Sequence, residues 1–263
     1  FFKIKQNICM MYDLIDESGK DLKQYGYKLK KLDRFGISVA TMTIESDQKS
    51  SSLGMDKGDY FILNSPHLYD YGMDANVYII NALSKVLKKF YKKLNISKDK
   101  KVLIVGLGNP DIMSDRLGKV VFDNVEIKPL KKDNNIFKFC PNIYFSTGIE
   151  TIDMVGMFVK GMEIDYILLI DSLTTNDISR LGTSFQITTS GMTPGSGVNR
   201  FGKKINEESM GVVCISIGIP FMIFASDLNA NSPEDLLLSP KDIKEHIERA
   251  GFIIASAINE VLK

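Results

Sequence analysis

The sequence predicts an α/β sandwich built on a mostly parallel sheet. Three runs carry that reading: Lys101–Gly108 (Lys-Val-Leu-Ile-Val-Gly-Leu-Gly), Tyr166–Asp171 (Tyr-Ile-Leu-Leu-Ile-Asp) and Gly211–Gly218 (Gly-Val-Val-Cys-Ile-Ser-Ile-Gly). Each is short and apolar without alternation, the mark of a strand buried on both faces. Segments with helical character separate them, at 113–122, 148–160 and 239–262. Strands alternating with helices place helices against both faces of a sheet. A length of 263 residues with 44% hydrophobic content suits one such domain, which is expected to span 1–263.

In chain order, residues 1–66 read as an irregular N-terminal part containing strands, and 75–263 as the α/β core. Gly36–Ile44 alternates like a half-buried strand, and Tyr60–Leu63 reads as a second, stopped by Asn64-Ser65-Pro66. Ser46–Ser52 between them reads as a polar loop. From Ala75 to Leu94, apolar residues recur at helical spacing: Val77, Ile80, Leu83, Val86, Leu87, Phe90 and Leu94. Lysine pairs at 88–89 and 92–93 fall near its end, where cations complement the helix dipole. The three apolar strands and their helices follow.

Composition narrows the function classes. Lys+Arg is 33 and Asp+Glu 32, a net charge of +1, so direct nucleic-acid binding is not expected. No stretch approaches the ~18 apolar residues of a membrane helix, so no membrane partner is expected. Cys9, Cys140 and Cys214 are odd in number and far apart, which argues against a disulfide framework and against a cysteine zinc site. Cys214 reads as a small buried apolar residue. The two histidines, His67 and His246, neighbour none of the candidate segments, so neither a Ser-His-Asp nor a Cys-His site is expected. No cofactor or metal is expected.

In open α/β sheets, sites form beyond the carboxyl ends of the strands. That gathers Gly106–Asp115, Asp171–Asn176 and Gly218–Pro220 around one crevice. The first segment lacks the third glycine of a dinucleotide fingerprint, because Asp111 stands there, and it has no Gly-Lys-Ser/Thr of a P-loop. Ser114 or Asp115 fits equally as the N-cap of the next helix. Asp171, at the mouth of a buried strand, needs a partner or a function, or else caps a turn through Ser172 or Thr174. If Asp115 and Asp171 face each other, the pair cannot easily lose both protons, so one activates water while the other protonates the scissile amide. A third segment, Thr188–Val198, is rich in glycine and hydroxyls. Gly195, Ser196 and Gly197 there suit the holding of a substrate backbone or oxyanion, or form a plain surface loop.

These blocks, taken together, resemble the bacterial spore germination protease family. The resemblance runs through Val105–Asn109 with Asp115 and Leu117-Gly118, Thr147–Thr151, Ile170–Leu173, Pro194–Val198, Asn206-Glu207-Glu208 with Gly211, and Ile217–Pro220. More loosely, Tyr12-Asp13-Leu14 and Tyr60–Pro66 match as well. The resemblance implies a three-layer sandwich similar to hydrogenase-maturation peptidases. It implies an endopeptidase cutting small acid-soluble spore proteins after a glutamate, made as a zymogen, assembled as a homotetramer and acting in the cytoplasm of the spore core. Its two proposed catalytic aspartates map to Asp115 and Asp171. The chain departs from the family where a tryptophan is usual (Pro110), where a proline follows the Leu-Gly after the aspartate (Lys119), where Arg-Thr precedes the early Asp-Leu (Met11-Tyr12), and where a histidine precedes the glycine-loop proline (Thr193). A catalytically inactive or regulatory relative with the same fold is the alternative. Val105–Pro110 also resembles the start of peptidyl-tRNA hydrolases, but that chemistry needs a histidine soon afterwards and none follows before His246.

Overall fold

The structure, a computed structural model, describes residues 26–32, 35–70, 72–127, 134–195, 202–233 and 235–263. The sequence features at Cys9, at Tyr12–Leu14 and at Ser196–Val198 lie outside the described residues. In chain order the elements are β1 (Lys28–Lys31), β2 (Ser38–Ile44), α1 (Asp47–Leu53), β3 (Gly58–Asn64), α2 (Met73–Lys93), β4 (Val102–Gly106), α3 (Leu117–Asn124), β5 (Ile136–Phe139), α4 (Thr151–Met162), β6 (Tyr166–Thr175), β7 (Ser184–Thr188), β8 (Val213–Phe224), β9 (Leu237–Leu238) and α5 (Ile243–Leu262).

The nine strands found among the described residues join one sheet, in the order β1-β2-β3-β7-β8-β6-β4-β5, with β9 added to β8. The half that the apolar runs predicted is parallel: β8, β6, β4 and β5. The other half pairs antiparallel at every step from β8 through β7, β3 and β2 to β1. The strands of the N-terminal part therefore continue the sheet.

Helices cover both faces. On one, Ile79, Leu83 and Leu87 of α2, Val120 and Val121 of α3 and Ile254 and Ile258 of α5 pack on Ile104, Leu168 and Ile217. On the other, Val155 and Val159 of α4 pack on Leu103, Val105, Ile167 and Leu169. This is the three-layer arrangement, and it explains the continuous apolar runs: all ten residues of β6 are buried. A third cluster of Ala40, Met42, Ile44 and Ile62 sits with Leu53 and Met55 around α1. Those β2 residues alternate, as the sequence predicted for a half-buried strand. No helix among the described residues is long and apolar enough to cross a membrane.

Several expected boundaries change. The loop expected at Ser46–Ser52 is helical from Asp47. Ser46 caps it, accepting from the Lys49 N–H at 3.3 Å, and Gly54 closes it in the left-handed region at φ 70°. The helix expected from Met113 is a short 3₁₀ turn, Met113–Asp115, followed by α3 from Leu117. Helix α4 begins at Thr151 and α5 at Ile243, each later than expected. Val77, placed on the buried face of α2, is 56% exposed, and Ala75 and Ile79 take the inner positions. Both β6 and β8 run well past the predicted strand ends, a change that matters for the site.

Helices α3 and α5 meet at Gly251. A Cβ there would lie 2.5 Å from Val120 Cγ1 and 2.9 Å from Val120 Cβ. Alanine gains about 1 kcal/mol of helix propensity over glycine. Overpacking against a side chain as stiff as a helical valine costs about 1–3 kcal/mol. Gly251→Ala is thus expected to lower the melting temperature by a few degrees. In a Val120→Ala background the Cγ1 overlap is gone and only the Cβ contact at 2.9 Å remains, so the same change is expected to cost less. Thermal melts of the four proteins decide this, and an equal loss in both backgrounds would show that the close approach to Val120 Cγ1 does not limit packing.

Candidate active site

The site forms where β4 stops and β6 continues. Gly106, the last residue of β4, pairs with Ile170. The Leu107 N–H still donates to the Ile170 carbonyl at 2.7 Å, and the chain then turns away at Gly108, whose φ is 92°. The next residue of β6 is Asp171. It keeps Gly218 of β8 as its partner on one side and has lost its β4 neighbour on the other. The expectation that Asp171 sits at a strand mouth is corrected here. It lies within a ten-residue strand, opened by the shorter length of the strand beside it.

Asp115 returns to this gap because three glycines let backbone cross backbone. A Cβ on Gly106 would overlap the Gly118 carbonyl, and one on Gly118 would overlap the Leu107 carbonyl. A Cβ on Gly108 would overlap the Asp115 carbonyl and stand 2.9 Å from Asp115 Oδ1. The chain from Gly106 to Gly118 is thereby folded back against itself. Asp115 Oδ2 accepts from the Asn109 N–H at 2.8 Å, and the Asp115 N–H donates to the Ile112 carbonyl at 3.0 Å. The capping role read for Ser114 or Asp115 is not the one found. The N-cap of α3 is Arg116 without a side-chain bond, and the buried Leu117 N–H donates across to Ser172 Oγ at 3.4 Å. That bond ties the Asp115 turn to the residue after Asp171.

Asp171 is 5% exposed. Burial pushes its carboxyl well above the usual carboxylate range, and the charge of nearby Asp115 pushes it the same way. The Ser172 N–H, donating to Asp171 Oδ1 at 2.9 Å, opposes both and is outweighed. Two carboxyls in mutual electrostatic contact, one buried, favour the state that holds a single proton, on Asp171.

Asp115 also forms part of the wall of a cavity of about 400 Å³. Leu107 and Gly108 adjoin it there. Pro141–Tyr144 also line it, as do Glu150 and Thr151 at the start of α4. Pro194 and Gly195 of the glycine-rich loop and Lys203 are on its wall too. Lys203 Nζ lies 3.6 Å from Glu150 Oε2. Of the predicted substrate-holding residues, Gly195 is on the cavity wall, whereas Ser196 and Gly197 lie outside the described residues. Of the predicted crevice segments, Asp171 and Gly218 come together, but Thr174 and Thr175 belong to the far end of β6, paired with Met222 and Ile223. The sequence reading did not single out Asn142, Tyr144 or Lys203, and it noted Glu150 only within a family block. None of them follows a strand of strong periodicity.

His67 pairs with Asp70 at 2.9 Å, and His246 stacks on Tyr69 with centroids 3.5 Å apart. Neither is on the cavity wall. Among the described residues no group of three or more His, Cys, Asp or Glu is placed to hold a metal ion.

Comparison with known proteins bears on this geometry. Residues 8–234 match the family described as germination protease. The germination protease of Priestia megaterium is 30% identical over 222 residues, 81% of this chain and 60% of that protein. Those of Caldanaerobacter subterraneus subsp. tengcongensis and Bacillus subtilis are 29% and 28% identical over 84% and 83% of this chain, and 71% and 61% of their own lengths. The chain thus spans about three fifths of the Priestia protein. Among solved structures, a NiFe hydrogenase maturation protease, HycI from Thermococcus kodakarensis KOD1, overlaps 60% of this chain and 92% of its own at TM-score 0.37 and 19% identity.

Proposed function

The chain belongs to the germination protease family, and from that premise we propose that it is an endopeptidase that starts the degradation of small acid-soluble DNA-binding spore proteins during germination, hydrolysing peptide bonds through Asp115 and Asp171. The observation that carries the mechanism is the unequal setting of the two carboxyls. Asp115, on the cavity wall with Oδ2 bonded to the Asn109 N–H, is the base that takes a proton from attacking water. Asp171, buried and pushed toward its protonated form, supplies the proton that the carbonyl oxygen or the leaving amine requires. Gly195, with Ser196 and Gly197 beside it in sequence, offers backbone donors to the substrate chain. The homotetrameric state, the zymogen form and action in the spore core are parts of the same proposal and rest on the family likeness.

The test is direct. Purified protein incubated with a small acid-soluble spore protein between pH 5 and pH 8 is expected to give a few internal fragments of fixed mass. An intact substrate across that range would reject the proposal and favour a catalytically inactive relative that keeps the fold.

A further inference from the structure

Strand β5 lies at one end of the sheet and pairs, among the described residues, with β4 alone. It runs parallel to β4 with Phe139 opposite Val105, so its C-terminal end arrives beside the Gly106–Gly108 turn. The residues that follow, Pro141–Tyr144, form a wall of the cavity that Asp115 faces. An edge that is unpaired among the described residues therefore leads without interruption into the candidate active site.

The hydrogen-bond phase of that edge is fixed. The Val102 N–H donates to the Asn135 carbonyl at 2.8 Å. In a parallel ladder, alternate residues bond inward, so residues 135, 137 and 139 face β4, while 136 and 138 present their N–H and C=O outward; the same phase carried one residue past the strand puts Cys140 outward as well. At Ile136 the outward pair is already closed. Its N–H donates to Asn134 Oδ1 at 3.3 Å, and its carbonyl accepts from Asn134 Nδ2 at 3.0 Å. One side-chain amide thus occupies the place that a peptide group of an added strand would take. At Lys138 no bond to the outward N–H or C=O is found among the described residues. Its side chain is engaged elsewhere, with Nζ donating to the Phe122 and Val125 carbonyls, both at 2.7 Å. Among the described residues, pairing is thereby closed at the far end of β5 and open at the end nearest the cavity.

We propose that the substrate polypeptide adds as an extended strand to the outer edge of β5, pairing its backbone with Lys138 and Cys140, and that this pairing delivers the scissile bond along Pro141–Tyr144 to Asp115. The occupant is a segment of the cleaved protein, because the edge is continuous with the cavity wall. The inference rests on the peptidase reading. Edge pairing supplies affinity through backbone bonds and is indifferent to most side chains. About three residues of extended chain separate Lys138 from the cavity wall, roughly 10 Å at 3.3 Å each.

The experiment uses peptides spanning a cleavage site in a small acid-soluble spore protein, N-methylated at one backbone amide at a time for eight residues on each side of the cut. Strand pairing uses every second amide. The expected profile is a roughly tenfold fall in kcat/KM at one residue three to five positions from the cut, a similar fall two residues along, and little change at the residue between. A second series with esters in place of the same amides, which removes the N–H without adding a methyl group, is expected to repeat that period-two pattern. A parent peptide that is cleaved with a flat profile, or with equal losses at adjacent residues, would overturn the edge pairing alone. A parent peptide that is not cleaved would overturn the peptidase reading and this inference together.

Discussion

Asp171→Asn is expected to lower kcat for peptide cleavage by roughly 10²–10⁴-fold, the range of a lost general acid or base, without destabilising the protein at neutral pH. Asparagine has the same shape and keeps an acceptor for the Ser172 N–H, now bonded to Asp171 Oδ1 at 2.9 Å, but it has no proton to give. The stability half follows from linkage. The folded-state pKa of Asp171 is raised by burial and by the charge of Asp115. Below the unfolded value of about 3.9 both states hold the proton. As pH rises above that value the unfolded state ionises while the folded state stays protonated. Wild-type stability from this group therefore falls by about 1.4 kcal/mol per pH unit until the raised pKa is passed. Asparagine removes that slope. The melting temperature of Asp171→Asn minus that of the wild type is expected to lie near zero around pH 4 and to grow toward neutrality. Cleavage by the wild type should decline at the alkaline end as Asp171 loses its proton. Thermal melts and turnover measured from pH 4 to pH 8 check both halves. A variant that keeps wild-type kcat would remove Asp171 from the chemistry, and one whose melting temperature falls below wild type at every pH would show that the carboxyl is needed for structure.

What could be read in the sequence, and what could not, divides by the range of the interaction. The runs at Val102–Val105, Tyr166–Ile170 and Val213–Ile217 were legible because burial on both faces leaves little room for polar side chains in a strand, Ser216 being the one hydroxyl inside the third run. Their ends were not, because β6 continues through Asp171, Ser172 and Thr174, polar residues that are nonetheless buried, and β8 continues through Gly218 and Pro220, which interrupt its apolar run. Composition marks these as a loop, and only the neighbouring strands make them a sheet. Strand β1 escaped for a related reason. Lys28–Lys31 is wholly exposed and carries three lysines, a charged edge that resists pairing with other chains and shows no apolar pattern. Strand β5 is only four residues long, and β7 holds Ser184, Gln186 and Thr188 on one face. For the site, the two aspartates could be named because each sits in a family block, and the electrostatic effect of Asp115 on Asp171 is a product of the fold. Helix α1 is the opposite case. Ser46 as cap, Leu53 as the buried residue and Gly54 in the left-handed region form a local signature, and the polar run Asp47–Ser52, with three serines in a row, hid it.

The glycines at the Asp115 turn carry the second large expectation. Gly118→Ala should cost about 3 kcal/mol and most of the activity. A Cβ at Gly118 would overlap the Leu107 carbonyl and stand 2.5 Å from Leu107 N and 2.6 Å from the Gly106 carbonyl carbon. None of these is the end of a flexible side chain. Gly106 is held in the ladder to β6, and the Leu107 N–H is bonded to Ile170 at 2.7 Å. Relief must come from α3, which would draw Leu117, Val120 and Val121 out of the core they share with α2 and α5. The helix-propensity gain of about 1 kcal/mol from alanine offsets only part of an overpacking and repacking loss of this kind. At roughly 2–4 °C per kcal/mol for a domain of this size, the melting temperature should fall by about 6–12 °C. The shift of α3 also lengthens the bond from Leu117 N to Ser172 Oγ and moves Asp115, three residues upstream. A misplacement of about 1 Å is worth roughly 10²-fold in rate. Gly156→Ala serves as the matched control. Gly156 lies inside α4, and nothing comes within 4 Å of the position of its Cβ, so the same chemical change there gains propensity without collision. That variant is expected to melt a few degrees higher than the wild type. Should Gly118→Ala lose stability and yet cleave at the wild-type rate at a temperature where it is folded, the close crossing of β4 and α3 would be a packing device only, and the placement of Asp115 would have to depend on the Asn109 bond instead.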